Sequence, residues 1–422
     1  MTESIKRLSS RAVIIMVFCL GIVSCDFIEP PVAELMTDVP QMAIYAAAFN
    51  TSQNRYKIHV SYEAHLAEKF ASRTVKPALV IGRYLKSAQA RSSYQSLDHL
   101  FSELVINQSV FYPGLLELGN TEGRQLFLPV SFNLPLIVFD MKLELVMKDG
   151  FVIDIVDLEK QGADFNKAVK SSYTNMGFDP RWSPEFLYLM MELQGTEFKE
   201  GSPLKWNKAG LEAGLSLSKD WSARSNGSIG KVDEFQFKYL YLPGYKSVQE
   251  GRIGFAAMNS SEFFIVSEER RSSLSFRWLS KDNAIPVDEG IVYAGISRKG
   301  TGTHAAEAFL KWFYAEETQR SILDEAQRYR SMESSFGIAG GFSAIRSVNE
   351  KLFPLYYPSL LGKLPPAQYL RPPHTLPAMW PEIKEEIILP FLLEATGIKP
   401  PADPNVALET RIQNWLKRRS TD

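Results

Sequence analysis

The segment IVYAGISRKGTGTHAAEAFLKWF, residues 291–313, joins a short apolar run to an amphipathic one through a polar turn. Residues 291–296 predict a buried strand, and residues 297–303 predict the turn that follows it. The next residues predict a helix whose apolar side chains lie on or near one side, namely Ala305, Ala306, Phe309, Leu310, Trp312 and Phe313. A strand that leads directly into a packed helix so late in the chain indicates a return to a lobe that earlier residues built.

Length and charge limit the class of protein before any motif is considered. A chain of 422 residues is too long for one ordinary hydrophobic core, so we expect two lobes or two domains. The 47 basic and 48 acidic residues nearly cancel, and no basic stripe stands out. Nucleic acid is therefore not an expected partner.

The first 25 residues have the pattern of a secretory targeting segment. Its charged start contains Lys6, Arg7 and Arg11. The apolar run over residues 12–20 is too short for a permanent membrane-spanning helix. Residues 22–25, Ile-Val-Ser-Cys, resemble a bacterial lipobox, which implies cleavage before Cys25 and a diacylglyceryl lipid, palmitate included, on its thiol. A weak signal peptide with an incidental cysteine, or an N-terminal anchor helix, are the alternatives.

This interpretation leaves no free cysteine in the folded body. Cys19 would leave with the signal and Cys25 would carry lipid, so neither a disulfide nor a cysteine metal site is expected. The lipid would hold the protein at a membrane of the cell envelope, facing the periplasm or the exterior.

The first part of the body alternates between two kinds of pattern. Residues 32–36, 57–62 and 79–82 predict short strands, and helical patterns lie between them. This alternation favours a parallel α/β sheet. Further along, residues 165–173 and 184–193 predict helices.

Residues 127–139, FLPVSFNLPLIVF, are apolar but contain two prolines, Pro129 and Pro135. Proline removes a donor from the hydrogen-bond ladder, so an unbroken central strand is not expected here. A strand that leaves one sheet and enters another tolerates such breaks. We therefore predict the first crossing between lobes in this segment.

Common catalytic motifs are absent from the sequence. It contains no G-x-S-x-G elbow, no H-E-x-x-H and no G-x-G-x-x-G after a predicted strand. The five histidines, His59, His65, His99, His304 and His374, are far apart and lack the spacing of metal ligands. We therefore expect neither an enzyme nor a bound metal or cofactor.

Aromatic residues are instead frequent in predicted loops. Trp182 lies between two prolines, Trp380 precedes a helical pattern, and Tyr84 follows a strand. Flat apolar rings beside hydrogen-bonding groups suit sugar rings, which present C–H patches and hydroxyls together. Ligands of open α/β sheets bind beyond the carboxyl ends of strands, where these loops are predicted. Packing in the core is the competing interpretation for each ring.

Several motifs occur in the order in which they occur in one bacterial family. They are the lipobox, FNTSQNRYKIHVSY at 49–62, LVIG at 79–82, LPVSFNLPLIVF at 128–139, EGRIGFAAMNSS at 250–261 and YAGISRKGTGTHAAEAFLKWFYAEETQ at 293–319. In this order the chain resembles the extracellular solute-binding proteins of family 1, which serve sugar ABC importers. The motifs extend over nearly all of the mature chain, and their order carries the resemblance more than any single motif does.

The resemblance implies an α/β, two-lobed periplasmic-binding-protein-like (type II) fold with hinge crossings. Its boundaries divide the chain into a signal peptide at 1–25, an N-terminal lobe at 26–135 and 290–343, and a C-terminal lobe at 136–289 and 344–422. The implied function is capture of a solute, most readily a sugar or oligosaccharide, by hinge closure and its delivery to ABC-transporter permease subunits. The protein would act as a monomer.

The family also implies where the solute binds. Carried over by position, the ligand-binding candidates are Thr37, Asp38, Tyr84, Ser87, Asn133, Trp182, Asn259, Ser260, Glu289 and Trp380. Residues 82–86 depart from the family because they lack its dense cluster of acidic and aromatic residues after the third strand. A different solute class, a lipid-anchored adhesin or interaction protein on the same fold, and a lipid-anchored hydrolase are the alternatives.

Overall fold

The computed structural model describes residues 30–145, 147, 150–400 and 406–419. The predicted signal peptide and Cys25 lie outside the described residues. Within the described ranges, no helix is both long and apolar enough to cross a membrane.

The first lobe is built on a six-stranded sheet. Its strands are β1 Val32–Thr37, β2 Lys57–Tyr62, β3 Leu79–Gly82, β4 Leu128–Phe132, β9 Val292–Ile296 and β10 Phe342–Ser343, in the spatial order β10-β4-β9-β3-β1-β2. Strand β1 pairs in parallel with both β2 and β3, as the alternating pattern predicts. The middle of the sheet is fully buried, because every residue of β3, β4 and β9 is buried, whereas the edge strand β2 is mostly exposed or half-buried.

The late strand β9 lies between β3 and β4 and runs antiparallel to both. A purely parallel sheet is therefore the wrong prediction for this lobe. The chain re-enters this lobe from the second lobe. An antiparallel strand needs no crossover helix, so β9 can pair directly with β3 and β4 in the opposite direction. The prediction that this segment returns to an early lobe is confirmed by its register, in which Ala294 is opposite Ile81.

The second lobe is built on a four-stranded sheet. Its strands are β5 Pro135–Asp140, β6 Val152–Asp154, β7 Phe255–Asn259 and β8 Leu274–Ser280, in the order β7-β5-β8-β6. Strand β5 runs antiparallel to β7 and β8, and β6 runs parallel to β8. Smaller strand pairs join Asn120–Thr121 to Arg124–Gln125, Lys167–Val169 to Ser172–Asn175, and Ile285–Pro286 to Leu370–Arg371.

The proline-containing segment passes from one sheet to the other. Strand β4 belongs to the first sheet and β5 to the second, with only Asn133 and Leu134 between them. Pro135 is the first residue of β5, where a missing donor costs least, and the register between β4 and β9 shifts next to Pro129. The predicted change of sheet within this segment is confirmed.

Helices cover both sheets. They are α1 Met42–Ser52, α2 Leu66–Ala71, α3 Ala88–Arg91, α4 Asp98–Ser102, α5 Pro113–Glu117, α6 Ile155–Phe165, α7 Pro184–Leu193, α8 Lys208–Arg224, α9 Ile229–Tyr239, α10 Gly244–Gln249, α11 Ser260–Phe263, α12 Glu268–Arg271, α13 Thr303–Phe313, α14 Glu316–Arg328, α15 Phe353–Tyr356, α16 Trp380–Ile383, α17 Leu389–Ala395 and α18 Leu408–Arg419. A π-helical stretch, Lys384–Ile388, joins α16 to α17.

Of two helices predicted in this region, one is confirmed and the other is wrong. Helix α7 has the predicted bounds, because the Ser183 hydroxyl accepts from the Phe186 N–H and Pro184 occupies the first turn. The helix predicted over residues 165–173 is wrong. That segment ends α6 and continues as an antiparallel hairpin, with Lys170 in the left-handed region at φ 60°.

The apolar cluster of the first sheet continues onto one face of the second sheet, and the predicted core side of α13 is confirmed. Ala305, Ala306, Phe309, Leu310 and Phe313 are buried against the first sheet, whereas Trp312 is only half-buried. The second cluster surrounds β5, α7, α8 and the C-terminal helices. The two lobes therefore share a continuous apolar cluster, which includes Leu136, Val138, Phe276 and Trp278 of the second sheet, and the crossings between lobes are short.

Candidate functional site

A cleft of about 1030 Å³ opens at the end of the second sheet, next to the crossings between the lobes. Its walls come from the start of β5, the end of β7, helix α7 and the segments around residues 279–289 and 371–374. The two crossing residues Asp288 and Glu289 form part of its wall. A volume of this size lies at the upper end of the range of about 300–1,000 Å³ that is usual for ligand pockets.

The cleft wall is predominantly acidic. Its carboxylates are Glu185, Glu192, Glu197, Glu262, Asp282, Asp288 and Glu289. Only three permanently cationic side chains accompany these seven carboxylates, namely Lys281, Arg371 and Lys384, together with His374. The wall therefore attracts positive charge and hydrogen-bond donors.

Lys384 is the centre of the charged part of the wall. Its Nζ lies 2.6 Å from Glu289 Oε1 and 2.7 Å from Glu185 Oε2, and 4.1 Å from the centre of the Tyr188 ring. The lysine side chain is only 15% exposed. Burial by itself would lower the pKa of Lys384, but Glu289 and Glu185 raise it above its ordinary value, so the ammonium stays charged.

Two further carboxyls of the wall have raised pKa values. Burial, with a contribution from Glu289, raises the pKa of Glu192 to about 8. Burial and Glu289 also raise the pKa of Asp288 to about 6. Asp288 accepts hydrogen bonds from the Asn259 amide at 2.8 Å and from the Gly290 N–H at 2.7 Å, whereas Glu192 Oε1 is buried without a hydrogen-bond partner.

Three candidates from the sequence meet at the crossings and bond mainly to one another. Asn133 Nδ2 donates to the Gly340 carbonyl at 3.0 Å, and Asn133 Oδ1 accepts from the Ser260 hydroxyl at 2.7 Å. The Asp288 N–H donates to the Asn133 carbonyl at 3.0 Å, and Asn259 holds the Asp288 carboxylate from the other side. We call Asn133, Asn259, Ser260 and Asp288 the crossing network. It joins the crossings at residues 133–134 and 288–289 to the end of β7 and to Gly340.

Of this network, Asn259 and Asp288 also line the cleft, as does the candidate Glu289. Ser260 is fully buried, and its hydroxyl also accepts from the Leu134 N–H at 3.1 Å. Neither Asn133 nor Ser260 lines the cleft, because their polar atoms face the crossing strands. The structure therefore assigns these two residues a structural contact rather than a solute contact.

The candidates from the first lobe lie away from this cleft. The Thr37 hydroxyl accepts from the Val39 N–H at 3.0 Å and is buried. Asp38 accepts from the Arg83 N–H at 3.2 Å and lies against Gly82, where an added Cβ would come within 2.6 Å of its Oδ1. Ser87 is buried at the start of α3. These residues organise the ends of β1 and β3, and they do not line the cleft.

Tyr84 is the first-lobe candidate that comes nearest to the cleft. It lines a narrow recess of about 10 Å³ together with Lys86, Glu289 and His374. Burial first, and then the nearby carboxylates of Glu289 and Asp288, raise the pKa of Tyr84 well above its ordinary value. The structure thus brings Tyr84, Asn259 and Glu289 to one region.

The two candidate tryptophans do not face each other across an open cleft. Trp380 is 0% exposed and packs against Phe198 and Tyr188 at ring-centre distances of 5.3 Å and 6.2 Å. Trp182 stacks on Phe235 at 5.9 Å and is partly buried. Among the described residues, no tryptophan lines the cleft, so the predicted stacking surfaces are corrected to core contacts.

The main cleft residues that the candidate list lacks lie on helix α7. Glu185, Tyr188 and Glu192 are three and four positions apart, which places them on one face of the helix. Two glutamates at a seven-residue spacing inside an apolar helix were a usable signal in the sequence. The segment 371–374, RPPH, lacked such a signal, since only the fold brings it to α7.

One group of side chains has the composition of a metal site. His65 Nδ1 lies 3.1 Å from Glu382 Oε1 and 3.8 Å from Glu68 Oε1. The His65 side chain is 66% exposed, and Arg419 lies 3.6 Å from Glu68. Because a cation of the protein already accompanies the two carboxylates, we interpret the group as ion pairs between α2 and the C-terminal helices.

Comparison with known proteins identifies the fold but no sequence family. No protein-family model matches the chain, and no curated protein matches it either. The sugar-binding protein MalE from the phytopathogen Xanthomonas citri is similar in structure, with a TM-score of 0.67 and 11% identity over 92% of this chain and 98% of that chain.

Two other solved structures match over similar lengths. The cyclic alpha-maltosyl-1,6-maltose binding protein from Arthrobacter globiformis has a TM-score of 0.59 and 14% identity, over 92% of this chain and all of that chain (100%). An ABC substrate-binding protein from Listeria monocytogenes in complex with cycloalternan has a TM-score of 0.58 and 12% identity, over 93% of this chain and 98% of that chain. The predicted fold class, a two-lobed periplasmic-binding-protein-like (type II) α/β fold, is confirmed.

Proposed function

We propose that this chain is the solute-binding component of an ABC importer and that it captures a sugar or oligosaccharide by closure of its two lobes. It acts as a binding protein and not as an enzyme. The observation that carries the proposal is a cleft of about 1030 Å³ at the crossings of a two-lobed fold. The names of the similar structures support the sugar class, because they are sugar-, maltose- and cycloalternan-binding proteins.

The lobes of this proposal comprise residues 26–135 with 290–343 and residues 136–289 with 344–422. The sheet memberships of β4, β5, β9 and β10 support these boundaries. The crossing network supports a hinge at residues 133–134 and 288–289, because its hydrogen bonds join these two crossings. Binding shifts the equilibrium toward the closed state, since contacts from both lobes to one solute exist only after closure.

The remaining parts of the proposal concern the cell envelope. The lipobox pattern supports a lipid on Cys25 that anchors the protein at a membrane, facing the periplasm or the exterior. The loaded, closed monomer then docks on the permease subunits of the transporter. Transport energy comes from a separate ATPase.

The direct test measures solute binding by the mature protein. We expect calorimetry and thermal unfolding to identify a saturable one-site solute in a panel of mono- and oligosaccharides, with a stabilisation of about 2.7 kcal/mol at a solute concentration of a hundred times Kd. Small-angle scattering should show a smaller radius of gyration in the bound state. Saturable binding of another solute class, with no sugar binding, contradicts the sugar assignment.

A steric variant connects binding to the cleft. Leu189 lines the cleft on α7, so Leu189→Trp should fill part of it and abolish binding without any change of charge. Leu355→Trp is the matched control, because Leu355 is exposed and lies outside the cleft. Equal loss of binding in both variants would contradict the assigned site. An adhesin that kept only the fold predicts no solute for either protein.

A further inference from the structure

The acidic wall of the cleft holds more negative charge than its own cations neutralise. Seven carboxylates line the cleft beside three permanent cations. Lys384 is shared by Glu289 and Glu185, Lys281 donates to the Gln194 side chain at 2.7 Å, and Arg371 donates to backbone carbonyls. Of the described basic residues on the wall, only Lys384 and His374, the latter 3.5 Å from Glu197, therefore contact a carboxylate of the wall, and the wall has four more carboxylates than permanent cations.

Glu192 has one carboxyl oxygen without a hydrogen-bond partner, although the Phe198 backbone N–H also acts on this carboxyl. Its Oε1 is buried and makes no hydrogen bond, although the side chain lies on the cleft wall. A buried polar atom without a partner costs free energy, and a buried carboxylate costs more than a neutral group. The charged groups that act on it are Glu289, Glu197 and Lys384, and the two glutamates oppose its ionisation. A positive group in the cleft would satisfy Glu192.

Aromatic stacking contributes little to this cleft. Phe186 and Tyr188 are the aromatic residues of its wall, and they are 2% and 5% exposed. The Tyr188 ring is also covered by the Lys384 ammonium at 4.1 Å. Recognition of a solute here therefore rests on charge and hydrogen bonds more than on contact with ring faces.

We infer that the solute of this cleft carries a positive charge and is an amine-bearing sugar whose ammonium group binds Glu192 beside Glu289. This inference rests on the proposed function, because the sugar class comes from there. The ammonium donates to the Glu192 carboxylate on the cleft wall, and the positive charge offsets the excess of carboxylates around it. The hydroxyls of the sugar hydrogen-bond with Asn259 and the other polar groups of the wall.

Proton release distinguishes this solute from a neutral one. A neutral sugar is bound best by a protonated Glu192, which keeps its proton and donates a hydrogen bond to a sugar hydroxyl. A cation is bound best by the carboxylate, so binding expels the proton. At a pH where the amine is already protonated, the two solutes therefore differ in the number of protons that leave the protein.

The experiment uses the mature protein and three probes, namely the disaccharide of glucosamine, the neutral disaccharide cellobiose of the same size, and spermidine. Calorimetry at about pH 6, where the solute amine is already protonated, in buffers of different ionisation enthalpy measures affinity and proton release together. We expect the glucosamine disaccharide to bind at least roughly tenfold more tightly than cellobiose, because a charge-assisted hydrogen bond to a buried carboxylate is formed. Proton release should accompany binding of the amino sugar.

The variant Glu192→Gln keeps the shape of the side chain and removes its charge. It should weaken binding of the glucosamine disaccharide by roughly tenfold or more and abolish the proton release, with little effect on cellobiose. Glu212→Gln is the matched control on α8, since Glu212 is exposed and does not line the cleft. The wild-type proton release tests the inference even where a variant does not fold.

The outcomes separate this inference from the proposed function. Cellobiose or another neutral sugar binding as tightly as the amino sugar, without proton release, overturns the charge inference and leaves the sugar-binding proposal standing. Tight binding of spermidine alone overturns the sugar class while it supports a cationic solute. Failure of all three probes, with an anionic solute bound instead, overturns both.

Discussion

Replacement of Glu192 by glutamine should change how the stability of this protein depends on pH. Burial, together with Glu289, raises the pKa of Glu192 from 4.5 to about 8 in the folded state. In the unfolded chain the carboxyl titrates near its ordinary pKa. Between these two pKa values the folded protein holds one more proton than the unfolded chain, so the free energy of unfolding falls as the pH rises.

The size of the effect follows from the difference between the two pKa values. Each pH unit between them corresponds to about 1.4 kcal/mol, so the wild-type protein loses up to about 5 kcal/mol of stability over this range. The contribution is fully present below pH 4.5 and is lost as the pH rises through about 8. Glutamine has no proton to release, so Glu192→Gln keeps this stability at high pH.

Urea unfolding followed by tryptophan fluorescence, at about pH 5, 7 and 9, measures the effect through midpoints and slopes. The difference in free energy of unfolding between Glu192→Gln and wild type should grow with pH and reach roughly 5 kcal/mol in favour of the variant. The control Glu212→Gln should follow the wild-type curve. If Glu192→Gln and wild type change in parallel from pH 5 to 9, the carboxyl is not held in its neutral form and the reasoning is refuted.

Four other substitutions test separate parts of the description. Asn133→Ala removes the amide of the crossing network and leaves a hydroxyl and a carbonyl unsatisfied, so urea unfolding should show a loss of roughly 1–3 kcal/mol. Lys384→Met leaves two carboxylates without their ammonium, and the same assay should show a loss of roughly 3–5 kcal/mol that grows with pH. Glu200 accepts from the Ala88 N–H at 2.9 Å and pairs with Arg91 at 3.2 Å across the lobes, so Glu200→Ala, which removes both contacts, should enlarge the radius of gyration of the unbound protein while costing less than about 1 kcal/mol. Cys25→Ser should abolish incorporation of labelled palmitate and release the protein from membranes.

The strands of the first lobe were predictable because their apolar runs are short and bounded by polar turns. Their direction was only partly predictable. Hydrophobic periodicity reports which side chains are buried, but it is the same for parallel and antiparallel pairing. The antiparallel entry of β9 depends on the path of the chain through the second lobe, and no local pattern in residues 291–296 reveals that path.

The success at α7 and the failure at residues 165–173 have one physical explanation. Helix α7 begins with a capping serine and a proline, which act within four residues of each other and are visible in sequence. The segment after Phe165 has no comparable stop signal apart from Asn166. Its hairpin is fixed by distant contacts, such as Asn166 Nδ2 donating to the Ser225 carbonyl at 2.9 Å.

The candidate site was predicted less well than the fold, and the tryptophans illustrate why. An aromatic residue in a loop serves a ligand or a core, and only the neighbours decide between them. At Trp380 the neighbours are Phe198 and Tyr188, which bury the ring completely. Glu192 illustrates the opposite error, because a residue that lines the cleft was not predicted to do so. A glutamate within an apolar run resembles an ordinary solvated residue until its burial is known.

The residues that carry the family resemblance and those that line the cleft are largely different sets. Asn133 and Ser260 lie within quoted motifs, and they bond to the backbone and side chains of the crossings. Glu192 and Lys384 lie outside those motifs, and they set the charge of the cleft. A hinge depends on a fixed set of hydrogen bonds, whereas the wall of a cleft tolerates substitution as long as its volume is kept. The motifs therefore point to the crossings between the lobes, whereas the charge of the cleft depends on residues such as Glu192 that the motifs do not include.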